Sequence, residues 1–173
     1  MAGVSPQHRL QPSWDPGLTI AHLSLPHLLS QGLAAAVLDV DRTLLPGRDV
    51  TLPEPVLAWL TDAKRRLSLH LFSNNPSRVR IAAVADQIGV SFTCGARKPR
   101  RGALRRVIEE LDLPPEKIAM IGDRLFTDVW CGNRLGLYTV LVRPIAVDGS
   151  PCPHDRVQRL ERRFAGWMGA PTA

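Results

Sequence analysis

The stretch Ala34-Ala35-Ala36-Val37-Leu38-Asp39-Val40-Asp41-Arg42-Thr43-Leu44 is an apolar run that stops on two carboxylates. Uncharged small and branched residues of this length read as a buried, parallel β-strand. Periodicity alone would also allow a helix segment, but Pro46 and Gly47 close the run too soon. Asp39 and Asp41 then stand at a strand's C-terminal end, the edge where ligands bind in an open α/β sheet. Two residues apart on an extended backbone, they project the same way. Carboxylates that close repel and need a cation or a shared proton, which implies Mg²⁺ with an aspartate nucleophile beside it. A loop acid pair capping the following turn is the competing reading of this tripeptide alone.

Three further apolar segments end on polar residues: Ser73-Asn74-Asn75-Pro76, then Lys98-Pro99, then Gly122-Asp123 with Asp128 five residues on. If their strands are parallel, all four ends share one edge. An aspartate can attack a phosphoryl group and form an acyl-phosphate, splitting a hard hydrolysis into two displacements. Charge on the transferring oxygens then calls for Mg²⁺, hydrogen-bond donors and a fixed positive charge, roles that Ser73 and Lys98 fit. Each has a plainer reading. Ser73 could cap the helix at Ser77, Lys98 could be solvated before Pro99, and Asp128 could offset a helix macrodipole.

The elements that must position these residues alternate along the chain. Helices are expected at 20–33, 53–66, 77–89, 100–111, 126–135 and 153–168, and strands at 34–38, 67–73, 90–93, 117–121 and 137–142. Such alternation predicts an α/β fold with a doubly wound, Rossmann-like parallel sheet and helices on both faces. Residues 1–16, with Pro6, Pro12 and Pro16, read as a flexible leader, and 17–173 as a single domain that includes a C-terminal basic helix. In that helix Arg156, Arg159, Arg162 and Arg163 read as a solvated face in preference to a lipid-contacting one.

The net charge of +6 comes almost wholly from arginine, since Lys64, Lys98 and Lys117 are the only lysines. Part of this reflects a GC-rich coding bias, yet it favours anionic partners, including phosphorylated substrates and anionic lipid surfaces. Few aromatics are available for stacking on bases, so nucleic acid is not expected as a partner. Cys94, Cys131 and Cys152 lack CxxC spacing, which argues against a zinc site or disulfide framework and for a reducing compartment. No signal peptide is evident, and His22, Pro26, His27, Gln31 and Asp39 interrupt the apolar stretch 17–40, so no membrane span is expected. A cytoplasmic protein follows, with peripheral attachment to the inner face of a membrane left open, as is the oligomeric state.

The order DVDRT, FSNN, KP and GDRLFTDV resembles the four motifs of the haloacid-dehalogenase (HAD) superfamily of aspartyl phosphatases. DxDxTL with SNNP, ARKP and IGDxxFTDVxxGNRxG further resembles subfamily IIIA, the YqeG-type branch that includes phosphatidylglycerophosphate phosphatases. The resemblance spans roughly Leu33 to Pro144. It implies that Asp39 is the nucleophile and a magnesium ligand. It also makes Asp41 the general acid/base, with a carbonyl on the metal. Thr43 would support the loop, Ser73 and the backbone at Asn74 would bind the phosphoryl group, and Lys98 would neutralise it. Asp123 would complete the magnesium shell with Asp128 behind it. Arg42 stands where relatives usually carry Asn, and Arg124 where they often carry Gln; both add positive charge near the mouth.

Members of this superfamily often insert a cap domain over the site. Here 29 residues separate Thr43 from Ser73 and 24 separate Ser73 from Lys98. Each interval is consumed by one helix and its connections, so no cap domain is expected. An open site suits a substrate that brings its own cover. With the branch resemblance and the basic charge, this points to phosphatidylglycerophosphate. A soluble sugar or histidinol phosphate, or a nucleic-acid 3′ phosphate, is the rival substrate, with an oligomer supplying the lid in the first case. A non-catalytic binding module is the rival class, and the intact set of chemical positions speaks against it.

Overall fold

The computed structural model describes residues 9–152 and 155–167. Five strands form one parallel sheet: β1 (Ala35–Leu38), β2 (Ser68–Phe72), β3 (Ser91–Thr93), β4 (Ile118–Gly122) and β5 (Tyr138–Leu141), in the order β3-β2-β1-β4-β5. The central strand β1 is buried throughout. Its alternate residues serve opposite faces, Ala36 and Leu38 in one apolar cluster, Ala35 and Val37 in the other. This is why β1 reads as an unbroken apolar run with no polar side.

Helices cover both faces. α1 is Leu25–Ser30, α2 Glu54–Lys64, α3 Arg78–Asp86, α4 Gly102–Leu111, α5 Trp130–Asn133 and α6 Arg156–Trp167. Val56, Leu60 and Ala63 of α2 and Ile81 and Val84 of α3 pack on the first face. Leu104 and Val107 of α4 and Cys131 of α5 pack on the second. Between β1 and β2 there is only α2, and between β2 and β4 only α3, β3, α4 and a 3₁₀ turn, so among the described residues no cap domain is inserted at the sheet edge. No helix among the described residues is long and apolar enough to cross a membrane, and all three cysteines are free.

Three expectations need correction. The helix expected over 20–33 is a 3₁₀ turn at Ile20–His22 followed by α1. Ser24 starts a new helix by accepting the His27 N–H, and Pro26 suits the first turn of a helix but not its interior. The helix expected over 126–135 opens as a π-helical turn, Leu125–Val129, before α5. The leader expected over 1–16 is tied down in its second half: Trp14 exchanges backbone hydrogen bonds with Thr139 and Leu141, and Leu10 is buried. Residues 1–8, and the expected ends of the tail helix at Pro153 and Met168, lie outside the described residues.

Candidate active site

Because the strands are parallel, β1, β2 and β4 deliver Asp39, Ser73 and Asp123 to one edge of the sheet. In register, Leu38 faces Leu71 on one side and Ile121 on the other, so all three strands run out together. Asp39 still donates its N–H to Ile121, and the chain then folds back, with Leu44 and Leu45 both bonding to the Val40 carbonyl. Within that turn Arg42 takes a left-handed backbone conformation (φ 68°). Its N–H bonds Leu45 and its carbonyl accepts from Ile145, which over-determines a conformation that costs a non-glycine residue about 1–3 kcal/mol.

Lys98 reaches the edge from the loop after β3, its backbone clamped by Asn74, whose side chain accepts its N–H at 2.6 Å and donates to its carbonyl at 3.2 Å. The buried Nζ spends its three protons on Asp39 Oδ1 at 2.5 Å, Asp128 Oδ1 at 2.7 Å and the Phe72 carbonyl at 3.1 Å. Burial alone would discharge this ammonium, but the two carboxylates outweigh it and raise its pKa. Thr43 donates to the other oxygen of Asp39 at 3.0 Å. Asp128 is tied down by the Arg124 N–H at 3.1 Å.

Asp39, Asp123 and Asp128 are all buried and offer carboxylate oxygens within 4.8 Å of one another. Burial, opposed by Lys98 and reinforced by Asp128, pushes Asp39 up to about 6. Burial and the charges of Asp39 and Asp128 push Asp123 up to about 8. Asp123 Oδ2 is buried without a hydrogen bond; Arg42 Nε stands 3.7 Å away, in ion-pair range but too far to bond. Three crowded acids and one orphaned oxygen are a donor set for a small hard cation. Gly122 makes room for the Asp128 side chain: a Cβ there would lie 2.2 Å from Asp128 Oδ2.

Asp41 stands apart from this triad. Its side chain, 41% exposed, is held by Arg80 at 2.6 Å and by the Ser73 hydroxyl at 3.3 Å. Ser73 is fully buried and also accepts the Asn75 N–H. All eight residues singled out in the sequence therefore gather at one edge. Asp128 lies beside the acid pair with both oxygens bonded, to Lys98 and to the Arg124 N–H, and the Asn74 side chain is taken up by Lys98's backbone.

Sequence reasoning missed four participants. Arg80, from the first turn of α3, fixes Asp41 and also bonds the carbonyls of Gly47 and Asp49. The other three come from α6 and the residue before it. Asp155 accepts from Arg42 at 2.6 Å, Gln158 donates to the carbonyls of Asp123 and Val142, and Glu161 accepts from Arg124 Nε and the Leu125 N–H. The signal was present only as isolated polar residues between large apolar ones, a pattern that places Leu160 and Phe164, not Gln158 and Glu161, inside.

Residues 95–144 match the HAD-hydrolase-like family model. Over 147 residues the chain is 31% identical to the Bacillus subtilis protein named "Probable phosphatase YqeG", covering 84% of each chain. It is 30% identical over 152 residues to the chloroplastic phosphatidylglycerophosphate phosphatase 1 of Chlamydomonas reinhardtii, covering 82% of this chain and 56% of that protein. The fold is similar to that of 3-deoxy-D-manno-octulosonate 8-phosphate phosphatase from Moraxella catarrhalis, crystallised with magnesium, phosphate and its sugar. There the TM-score is 0.52 at 13% identity, covering 83% of this chain and 92% of that one. An extended likeness to YqeG, on a parallel sheet whose carboxyl edge gathers the acids and the lysine of the four motifs, places the chain in the YqeG-type family of HAD-like hydrolases, as a phosphatase.

Proposed function

We propose that the chain is a Mg²⁺-dependent phosphomonoester hydrolase that works through an aspartyl-phosphate on Asp39 and acts on phosphatidylglycerophosphate. The observation that carries the chemistry is the buried carboxylate cluster beside Lys98, with one oxygen of Asp123 left unbonded. Asp39 and Asp123 would hold the ion by their carboxylates and Asp41 by its carbonyl, with Asp128 fixing the site's lysine. Bound there, Mg²⁺ supplies positive charge that offsets the charge of the phosphoryl oxygens and of the acids themselves.

A carboxylate oxygen of Asp39 attacks phosphorus as the ester P–O bond breaks, and Asp41 gives a proton to the leaving oxygen. Asp41 then takes a proton from water, whose oxygen displaces the aspartyl group and releases phosphate. Throughout, Lys98 places positive charge against the transferring group, and Thr43 and Lys98 fix the rotamer of Asp39. Arg80 and Ser73 hold Asp41 at the mouth, on the side open to solvent.

The lipid assignment is supported by the uncapped edge and by the name of the Chlamydomonas relative. An edge without a lid excludes water only when the substrate supplies the cover, as a headgroup presented by a bilayer does. The test is phosphate release with Mg²⁺ or with a chelator, from phosphatidylglycerophosphate in anionic vesicles, soluble sugar phosphates and an aryl phosphate. The expected result is Mg²⁺-dependent release that favours the lipid, with Asp39→Asn below about a thousandth of wild type. Residual turnover above that level removes the covalent step. Indifference to the lipid alongside aryl phosphate hydrolysis keeps the chemistry and discards the substrate.

A further inference from the structure

α6 is built inside out. Its inward face is polar: Gln158 and Glu161 are buried, along with the small Ala165, and bond the loop that carries Asp123. Its outward face is apolar. Val157, Leu160, Phe164 and Trp167 recur at helical spacing on one side, with Leu160 60%, Phe164 59% and Trp167 83% exposed. Phe164 and Trp167 meet edge to face, and with Leu160 and Arg163 they line a shallow apolar hollow. Folding does not use these side chains, since they pack on no core cluster among the described residues.

The rim says what covers them. Arg156, Arg159 and Arg163 are exposed beside the stripe, and none is in an ion pair among the described residues. Arg162 differs, turned back to Asp15 at 2.7 Å. We propose that the outward face of α6 docks the protein on an anionic membrane, with Leu160, Phe164 and Trp167 entering the headgroup boundary and the three arginines meeting lipid phosphates. Large apolar residues over a flank of arginines are what an in-plane interfacial helix requires. A second copy of this chain fits worse, because it would bring arginine against arginine. The docked face lies on the side of α6 away from Gln158 and Glu161, which brace the Asp123 loop. The inference stands on the helix alone and does not need a lipid substrate.

The experiment is co-sedimentation of the full chain with phosphatidylcholine vesicles, pure or mixed with phosphatidylglycerol, free of any phosphomonoester. Pelleting with the anionic vesicles only, weakened by salt, is expected. Phe164→Ser with Trp167→Ser should cut the affinity by about tenfold or more, with the far-UV circular dichroism and melting temperature unchanged. As a second readout that does not depend on that variant, the anionic vesicles should blue-shift tryptophan emission in the wild type and not in Trp167→Phe. Failure of the wild type to pellet, equal pelleting of the double variant, or a native-mass dimer that the double variant loses would each overturn the proposal. Without phosphomonoester in the vesicles, such a failure leaves the hydrolase reading untouched, and a failed hydrolase assay leaves this one untouched.

Discussion

The Lys98 ammonium has exchanged water for three protein oxygens, and the Arg80 guanidinium has not to the same degree, which gives the two ion pairs of the site different weights. Removing Lys98 leaves Asp39 and Asp128 buried beside each other without a cation. Breaking a buried pair in this way costs about 3–5 kcal/mol. Lys98→Ala should therefore lower unfolding free energy by about that amount in urea titrations without Mg²⁺. A loss below about 1 kcal/mol would mean that the ammonium is solvated in the native state. The partner of Arg80 is Asp41, 41% exposed. In the same titration Arg80→Ala should cost less than Lys98→Ala but more than the about 0.2–1 kcal/mol of an exposed pair, because Arg80 also bonds the carbonyls of Gly47, Arg48 and Asp49. It should also lower kcat, because Asp41 keeps only a 3.3 Å bond to Ser73. An unchanged kcat would show that Ser73 alone positions it. The strand-end residues of this site were legible because each motif is local and ends an apolar run. Arg80, Gln158 and Glu161 were not, since each reaches the edge from a helix and only tertiary packing says which helical face turns inward.

Gly122 is where a strand, a loop and a π-helical turn are forced together. The Asp128 side chain lies over its Cα, so a methyl group would meet Asp128 Oδ2, Cγ and Cβ at 2.2, 2.4 and 2.7 Å. Asp128 cannot swing aside cheaply, because Lys98 and the Arg124 N–H hold both its oxygens. Gly122→Ala should therefore cost about 1–3 kcal/mol, the usual penalty of overpacking. If the clash is the cause, the cost should shrink in an Asp128→Ala background without vanishing, because the Cβ at position 128 stays 2.7 Å away, a coupling that a double-mutant cycle of thermal unfolding reads directly. Additive losses would place the strain elsewhere. The strands and the helices α2, α3 and α4 were legible because apolar periodicity and end signals such as Ser77 agree with their packing. The exceptions have local causes. Ser24 and Pro26 split the first helix, and the π-helical turn, which pairs Val129 with the Arg124 carbonyl, is a register that periodicity does not encode.

At the scale of the whole molecule, buried titratable groups pull stability in opposite directions with pH. His70, on β2, is buried with its ring between Ser91 Oγ at 2.7 Å and Thr93 Oγ1 at 2.9 Å, both on the edge strand β3. Burial lowers its pKa from 6.5, with Glu110 opposing. The unfolded chain therefore takes up this proton first, so the contribution of His70 is complete above pH 6.5 and is lost as pH falls below it. Asp39 and Asp123 act the other way. Their pKa values are raised to about 6 and about 8, so their contribution is present at low pH and lost as pH rises through those values. A raw stability curve would mix the three, but a comparison with His70→Gln cancels the acids, which both proteins share. Measured without Mg²⁺ between pH 7 and pH 5, the wild type should lose stability relative to the variant by up to about 1.4 kcal/mol per pH unit, the linkage limit for one proton. Parallel curves would mean that the ring protonates as readily between β2 and β3 as in water, and that the two hydroxyls do not hold it neutral.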